Sequence, residues 1–234
     1  MRIRALETSA KSVSAAVVEN GAPLASAWQC TGLTHSRTLM PMVDAMLKNA
    51  ELSLETVDAI AVAAGPGSFT GLRIGIAAVK GLAWAVDKPC IGVSTLEAMA
   101  QNLAHLDCVL VCAMDARRNQ VYNALFEAKG GTLTRLTPDR AIAIAELAEE
   151  LRSEARRLVV LGDGGRLCHD GLAALGIETE LAPAQLLYQN AVGVGLAAEH
   201  GTLISAQELT PAYLRIPQAE RERSARLSQE AKQK

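Results

Sequence analysis

Aromatic side chains are scarce in this chain of 234 residues, which carries two Trp, two Phe and three Tyr: Trp28, Phe69, Trp84, Tyr122, Phe126, Tyr188 and Tyr213. So sparse a set excludes a ring-built floor for stacking bases or sugars, and the core must be aliphatic. A basic excess is missing too. Lys and Arg number 23 against 25 Asp and Glu, a net charge of −2 and a pI near 6.1. A domain that grips nucleic acid unaided normally shows a strong positive balance. Cys30, Cys90, Cys108, Cys112 and Cys168 are odd in number and form no C-x-x-C pair, which reads as reduced thiols of a cytoplasmic protein rather than a disulfide framework. Long hydrophobic runs are also lacking. The longest, Leu72 to Val86, contains Arg73 and Lys80 and falls short of the ~20 residues a bilayer requires. Arg2, Arg4 and Glu7 interrupt the start before a signal-type apolar stretch can form. The expectation is a soluble protein without membrane contact.

What is present is aliphatic bulk: half of the chain is hydrophobic against 21% charged, enough to build a sizeable core. Arg2–Glu7 and Ser12–Glu19 read as strands, and Asn20-Gly21 supplies a turn toward a third at Pro23–Gln29. His35 to Ala50 has helical spacing, with Leu39, Val43, Met46, Leu47 and Ala50 on one stripe. Asp58–Ala64 is a buried strand, Leu72–Val86 a helix, Ile91–Val93 a strand, and Thr95–Leu103 a helix with Ser94 as cap. A second round follows: strands at Cys108–Met114, Gln120–Glu127 and Thr132–Leu136, a helix at Ile144–Arg152, a strand at Leu158–Leu161 and a helix at Asn190–Glu199. Two rounds of strands followed by helices predict an α/β chain of two lobes, each a mixed sheet flanked by helices, with a cleft between them. The expected division is residues 1–104 and 105–218, with a polar tail at 219–234.

The most informative stretch is Gly65-Pro66-Gly67-Ser68-Phe69-Thr70-Gly71-Leu72-Arg73-Ile74-Gly75, set between a buried strand and an apolar helix. Glycines allow close backbone approach, and a helix N-terminus suits an anion. The stretch is neither a Walker A loop, since no Gly-Lys-Ser/Thr follows, nor a dinucleotide fingerprint, since Thr70 occupies the third glycine position. Two readings stay open on the residues alone: phosphate binding, and a tight strand-to-helix turn capped by Ser68 or Thr70.

The same stretch closely resembles the signature of the TsaB (YeaZ) family, of the actin/Hsp70/sugar-kinase (ASKHA) superfold. Glu7-Thr8-Ser9 stands where that family usually has Asp-Thr-Ser, His35-Ser36 opens the first helix, and Asp115-Ala116-Arg117-Arg118 precedes Val121-Tyr122. Pro211-Ala212-Tyr213-Leu214-Arg215 is a further match. The resemblance is dense from Ile3 to Phe126, thin from Ala128 to Ala206, and returns at the end. It implies a partner subunit for the transferase TsaD, joined by the ATPase TsaE. That assembly moves threonylcarbamoyl from its adenylate to the adenosine beside a tRNA anticodon. Contact with tRNA then comes through the complex, and a homodimer is expected without TsaD. Glu7, Thr8, Ser9, Gly65, Gly67, Ser68 and Asp115 become vestiges of the superfold's nucleotide site, with weak nucleotide binding at most and no other cofactor.

No catalytic set emerges. Relatives of the TsaD type carry H-x-E-x-H where this chain has Thr95-Leu96-Glu97-Ala98-Met99. A Thr and a Met in place of two imidazoles cannot hold a hard metal ion. His35, His105, His169 and His200 are scattered, and Cys168-His169 are sequence neighbours that do not aim at one point. The glycine-studded helix is apolar nearly all round, and the helix before it carries Met40, Met42 and Met46, side chains suited to adaptable contacts. The partner surface is therefore expected at His35, Leu39, Met42, Met46, Leu72, Arg73, Ile76, Val79 and Lys80. The competing class is a stand-alone enzyme, either an ATP-dependent kinase of the same superfold or a peptidase.

Overall fold

The computed structural model describes residues 1–215. The first sheet holds β1 (Arg2–Glu7), β2 (Val13–Glu19), β3 (Ala22–Gln29), β4 (Ala59–Gly65) and β5 (Cys90–Ser94) in the order β3-β2-β1-β4-β5. β1 pairs antiparallel with β2 and parallel with β4, placing Ala5 opposite Ala16 on one side and Ala61 on the other. The second sheet repeats the scheme. β6 (Cys108–Asp115) pairs antiparallel with β7 (Gln120–Lys129), which pairs with β8 (Thr132–Arg135); β6 also runs parallel to β10 (Leu158–Leu161), and β10 to β11 (Glu180–Leu181). β9 (Arg140–Ala143) adds to β7. The order β8-β7-β6-β10-β11 thus duplicates the first sheet, and the fold is the expected α/β arrangement of two mixed sheets flanked by helices.

The central strands of both sheets are buried on both faces. α1 (His35–Asn49) and α2 (Phe69–Val86) cover one face of the first sheet, where Leu39, Val43, Ile76 and Val79 meet Leu6, Val17 and Val62. The period-2 alternation of β1 sends Ile3 and Ala5 to the opposite face. There they pack under α6 (Ala191–Ala198), with Val194 and Ala198. On the second sheet, α4 (Ile144–Leu151) and α5 (Gly165–Ala174) bury Leu147, Leu151, Cys168 and Leu172. Its other face meets α3 (Thr95–Ala100) through Leu96 and Met99. Each such aliphatic side chain contributes roughly 1.5–3 kcal/mol on burial.

β9, α5 and β11 are elements that the pattern reading did not resolve. Two are strands of four residues or fewer, and α5 hides behind Gly162-Asp163-Gly164-Gly165, a cluster that reads as loop. α6 lies in the second half of the chain yet covers the first sheet, so residues 105–218 do not all sit with the second. Its mixture of Ala, Gly and Val gives no amphipathic stripe to announce that burial. The polar tail expected at 219–234 lies outside the described residues.

Candidate functional site

The two halves meet around a cleft of about 560 Å³, lined by Ser9, Lys11 and Ser68 from the first lobe and by Asp115, Arg117 and Asp163 from the second, with Arg215 beside them. Its first wall is the turn after β1 packed against the glycine stretch. A Cβ on Gly67 would stand 2.7 Å from the Ser9 carbonyl oxygen, and one on Gly71 would run into the Thr8 carbonyl. The Thr8 hydroxyl donates to the Gly71 carbonyl at 2.8 Å, and the Ser68 amide donates to the Ser9 carbonyl at 2.7 Å. Ser68 caps α2, its hydroxyl accepting from the Gly71 amide at 3.4 Å. The glycines are therefore consumed in seating α2 against the chain's own backbone. Of the two open readings, the geometry favours the tight capped turn over a phosphate cradle. Thr8 and Gly67 hold the structure together there and Gly65 sits against the Ala212 carbonyl, while Ser9, Gly67 and Ser68 still line the cleft.

Glu7 is fully buried at the base of this wall. One carboxylate oxygen accepts from the Ser9 amide at 2.5 Å, and the other has no hydrogen-bond partner. Burial raises its carboxyl to about 7; hydrogen bonds from Ser9 oppose the rise and the charge of Asp163 adds to it. Asp163, reached through the turn after β10, accepts from the Gln189 amide at 3.1 Å and is likewise raised by burial. The negative charge of Asp163 nearby disfavours ionisation of Glu7 further.

The opposite wall is the β6–β7 turn. Arg117, Arg118 and Asn119 have φ of 66°, 56° and 56°, three consecutive left-handed residues with side chains, each costing about 1 kcal/mol or more. Asp115 holds the turn by accepting from the Arg117 amide at 2.7 Å. This wall presents guanidinium groups where a nucleotide-binding turn presents glycine amides.

The helix register that carries histidines in the transferase-type relatives holds other chemistry here. Thr95 and Met99 are buried, and Glu97 pairs with Arg135 at 2.7 Å. Among the described residues, no three His, Cys, Asp or Glu side chains converge on one point. The His35 ring makes a 2.7 Å hydrogen bond with the Ala10 carbonyl, tying the start of α1 to the β1–β2 turn.

The residues expected on the partner surface separate into two groups. Leu39, Met46, Leu72, Ile76 and Val79 are at most 6% exposed and form the core under α1 and α2. They cannot meet a partner in this conformation, and the reading that placed them on a contact face is corrected. The same periodicity that marks a contact stripe marks the stripe facing the sheet, and only the fold distinguishes them. Arg73 is exposed, its guanidinium over the Phe69 ring at 4.0 Å and hydrogen-bonded to the Tyr213 hydroxyl at 3.0 Å. His35, Met42 and Lys80 are half-buried.

The outward side carries an apolar patch: Met40, Pro41 and Ala45 on α1, and Ala77, Gly81, Trp84 and Ala85 on α2, are all exposed, bordered by exposed Arg37, Asp44, Lys48 and Arg73. Trp84 is 68% exposed. Sequence reasoning left Trp84 off the expected partner surface, although a large ring among the Ala and Gly residues of that helix is itself a signal. α2 is long and apolar enough to pass a membrane-span test by length and composition, yet its inner face is seated on the first sheet.

Comparison with known proteins agrees with this geometry. The family model for TsaD, tRNA N6-adenosine threonylcarbamoyltransferase, matches residues 30–208. The tRNA threonylcarbamoyladenosine biosynthesis protein TsaB of Bacillus subtilis is 31% identical over 94% of this chain and 96% of its own length. TsaB of Escherichia coli is 30% identical over 92% and 95%. The solved structure of YeaZ from Pseudomonas aeruginosa superimposes with a TM-score of 0.76 at 29% identity, covering 91% of this chain and 99% of that one. Within the wider group that the transferase model describes, the chain belongs to the TsaB (YeaZ) family.

Proposed function

We propose that this chain takes part in threonylcarbamoyladenosine modification of tRNA as an activating subunit without catalysis of its own. In this reading it docks on a TsaD transferase, the ATPase TsaE joins the pair, and tRNA is met through the complex, in the cytoplasm. The transferase supplies the chemistry, moving threonylcarbamoyl from its adenylate to adenosine beside the anticodon.

The observation that carries the reading is the outward face of α1 and α2. Small residues at Ala77, Gly81 and Ala85 let another helix approach closely, and Trp84 offers an anchor of the kind that dominates interface energetics. The face continues into an open groove of about 800 Å³ between β3 and α1, lined by Leu24, Trp28, Pro41 and Met42. A standard interface buries about 1,600 Å² in total, which a pair of helix faces can supply. The cleft points the same way: its glycines are filled by Thr8 and Ser9, and its second turn carries Arg117 and Arg118. Without the transferase, the same face would pair two copies of this chain.

The test is reconstitution. The transferase and ATPase should modify tRNA through repeated turnovers with this chain present, and size-exclusion should show a complex that Trp84→Glu weakens. Equal turnover without the chain overturns the reading.

A further inference from the structure

A second cavity, of about 540 Å³, lies away from the cleft, between the edge of the first sheet and the start of α6. The fold brings together there two rings far apart in sequence, a pair that corrects the expectation, drawn from the scarcity of aromatics, that no ring-built stacking surface can form. Trp28 of β3 and Tyr188 of the loop before α6 stand with centroids 6.5 Å apart and planes tilted by 31°. Leu186 and Leu196 add apolar wall, while Gln101 and Gln185 contribute carboxamides.

A polar clasp holds this cavity in shape. The Asn102 amide donates to the carbonyls of Leu186 at 3.3 Å and Tyr188 at 3.0 Å, and Asn190 donates to the Asn102 oxygen at 2.7 Å. Ser14 accepts from the Ala191 amide at 2.8 Å. With the loop tied at these points, the cavity is preformed, and its volume lies in the range of small-ligand sites.

We propose that this cavity binds an uncharged adenine-type base, stacked on Trp28 and Tyr188 and read along its edge by the carboxamides of Gln101 and Gln185. The lining chemistry selects this class. No Lys, Arg, Asp or Glu lines the cavity, so a phosphate finds no counter-charge there and stays outside. A glutamine carboxamide matches the adjacent donor and acceptor on the adenine edge, and aromatic faces suit any base. The base can come from a free nucleoside or from an unpaired position of an RNA. Trp28 also borders the groove beside the docking face, so the two sites are neighbours, but base binding by the isolated chain does not require a docked partner.

Trp28 provides the probe. In a Trp84→Phe background it is the single tryptophan, and adenosine titration should give a saturable change in its fluorescence. AMP should bind within about threefold of adenosine, since its phosphate meets nothing charged. Gln101→Ala with Gln185→Ala should weaken binding by about tenfold, the cost of one lost bidentate base contact, with an unaltered circular dichroism spectrum. Arg117→Ala with Arg118→Ala in the cleft should leave it unchanged. A short oligoadenylate binding as tightly as adenosine supports the proposal with RNA as source, and its exclusion supports it with the free nucleoside. A non-saturating response, equal affinity in the double glutamine variant, or binding that disappears with the cleft arginines overturns it.

Discussion

The two lobes share a sheet topology but dress their helices differently. On the second lobe, α4 and the strands around it end in ion pairs: Arg140 with Glu150 at 2.5 Å, Arg156 with Glu127 at 2.8 Å and Arg157 with Glu180 at 2.6 Å. On the first lobe, the outward residues of α2 are Thr70, Arg73, Ala77, Gly81, Trp84 and Ala85. The layers also sit differently on their sheets. A Cβ on Gly71 of α2 would strike the Thr8 backbone, whereas one on Gly171 of α5 would meet only the Ile144 side chain, at 2.9 Å. α2 is locked to the main chain and largely apolar outside; α5 rests on a side chain, and α4 beside it carries exposed charge. Surface charge keeps a monomer soluble, so a rigidly held helix whose exposed residues from Ala77 to Ala85 carry none is fitted for contact with another protein.

The largest effect expected from this comparison is Gly71→Ala. The helix must lift off Thr8, and stability should fall by about 3 kcal/mol, read by denaturant unfolding. Gly171→Ala should cost less, about 1 kcal/mol, because the Ile144 side chain rather than backbone must give and Ala favours the helix. Equal losses at both positions would erase the contrast.

Glu7 sharpens it next. Its folded value of about 7 lies above the ordinary 4.5, so the folded chain holds this proton more tightly than the unfolded one. Its contribution to stability is fullest below pH 4.5 and is lost as pH rises to 7, a change of up to roughly 3 kcal/mol. Glu7→Gln should flatten that slope and leave the protein more stable than the parent at pH 8. A slope unchanged in the variant would place the titration elsewhere.

On the outer face, Ala77→Arg combined with Trp84→Glu should weaken association about tenfold or more while unfolding shifts by no more than about 0.5 kcal/mol. Ile76→Glu, by contrast, buries a charge and should unfold the lobe. Association that survives the outward pair would move the interface off α2. The smallest effect belongs to the second lobe: Glu150→Ala, one half of a partly exposed pair, should cost under about 1 kcal/mol and leave association unchanged.

Much of the fold was legible because its elements obey simple periods. β1 to β5, α1 and α2 followed from alternation, the Asn20-Gly21 turn and the apolar spacing. α5 was missed because its preceding glycines look like loop, and the place of α6 was hidden because nothing in an Ala/Gly/Val helix says which sheet it will cover. The candidate site was legible in part. The glycine stretch marked the right turn, but nothing in its spacing says that Thr8 and Ser9 fill it. The Trp28–Tyr188 wall was invisible, since seven scattered rings give no hint that two of them meet.

Sequence alone determined the aliphatic core, the duplicated strand and helix rhythm, and the kinship carried by the glycine stretch, because periodicity and steric permissiveness are local properties of the chain. Tertiary structure decided which side of each helix faces the sheet, what the glycines accommodate, how far burial moves Glu7, and which distant side chains share a cavity. Those depend on long-range contacts, where packing leaves one arrangement among many that the same local preferences allow.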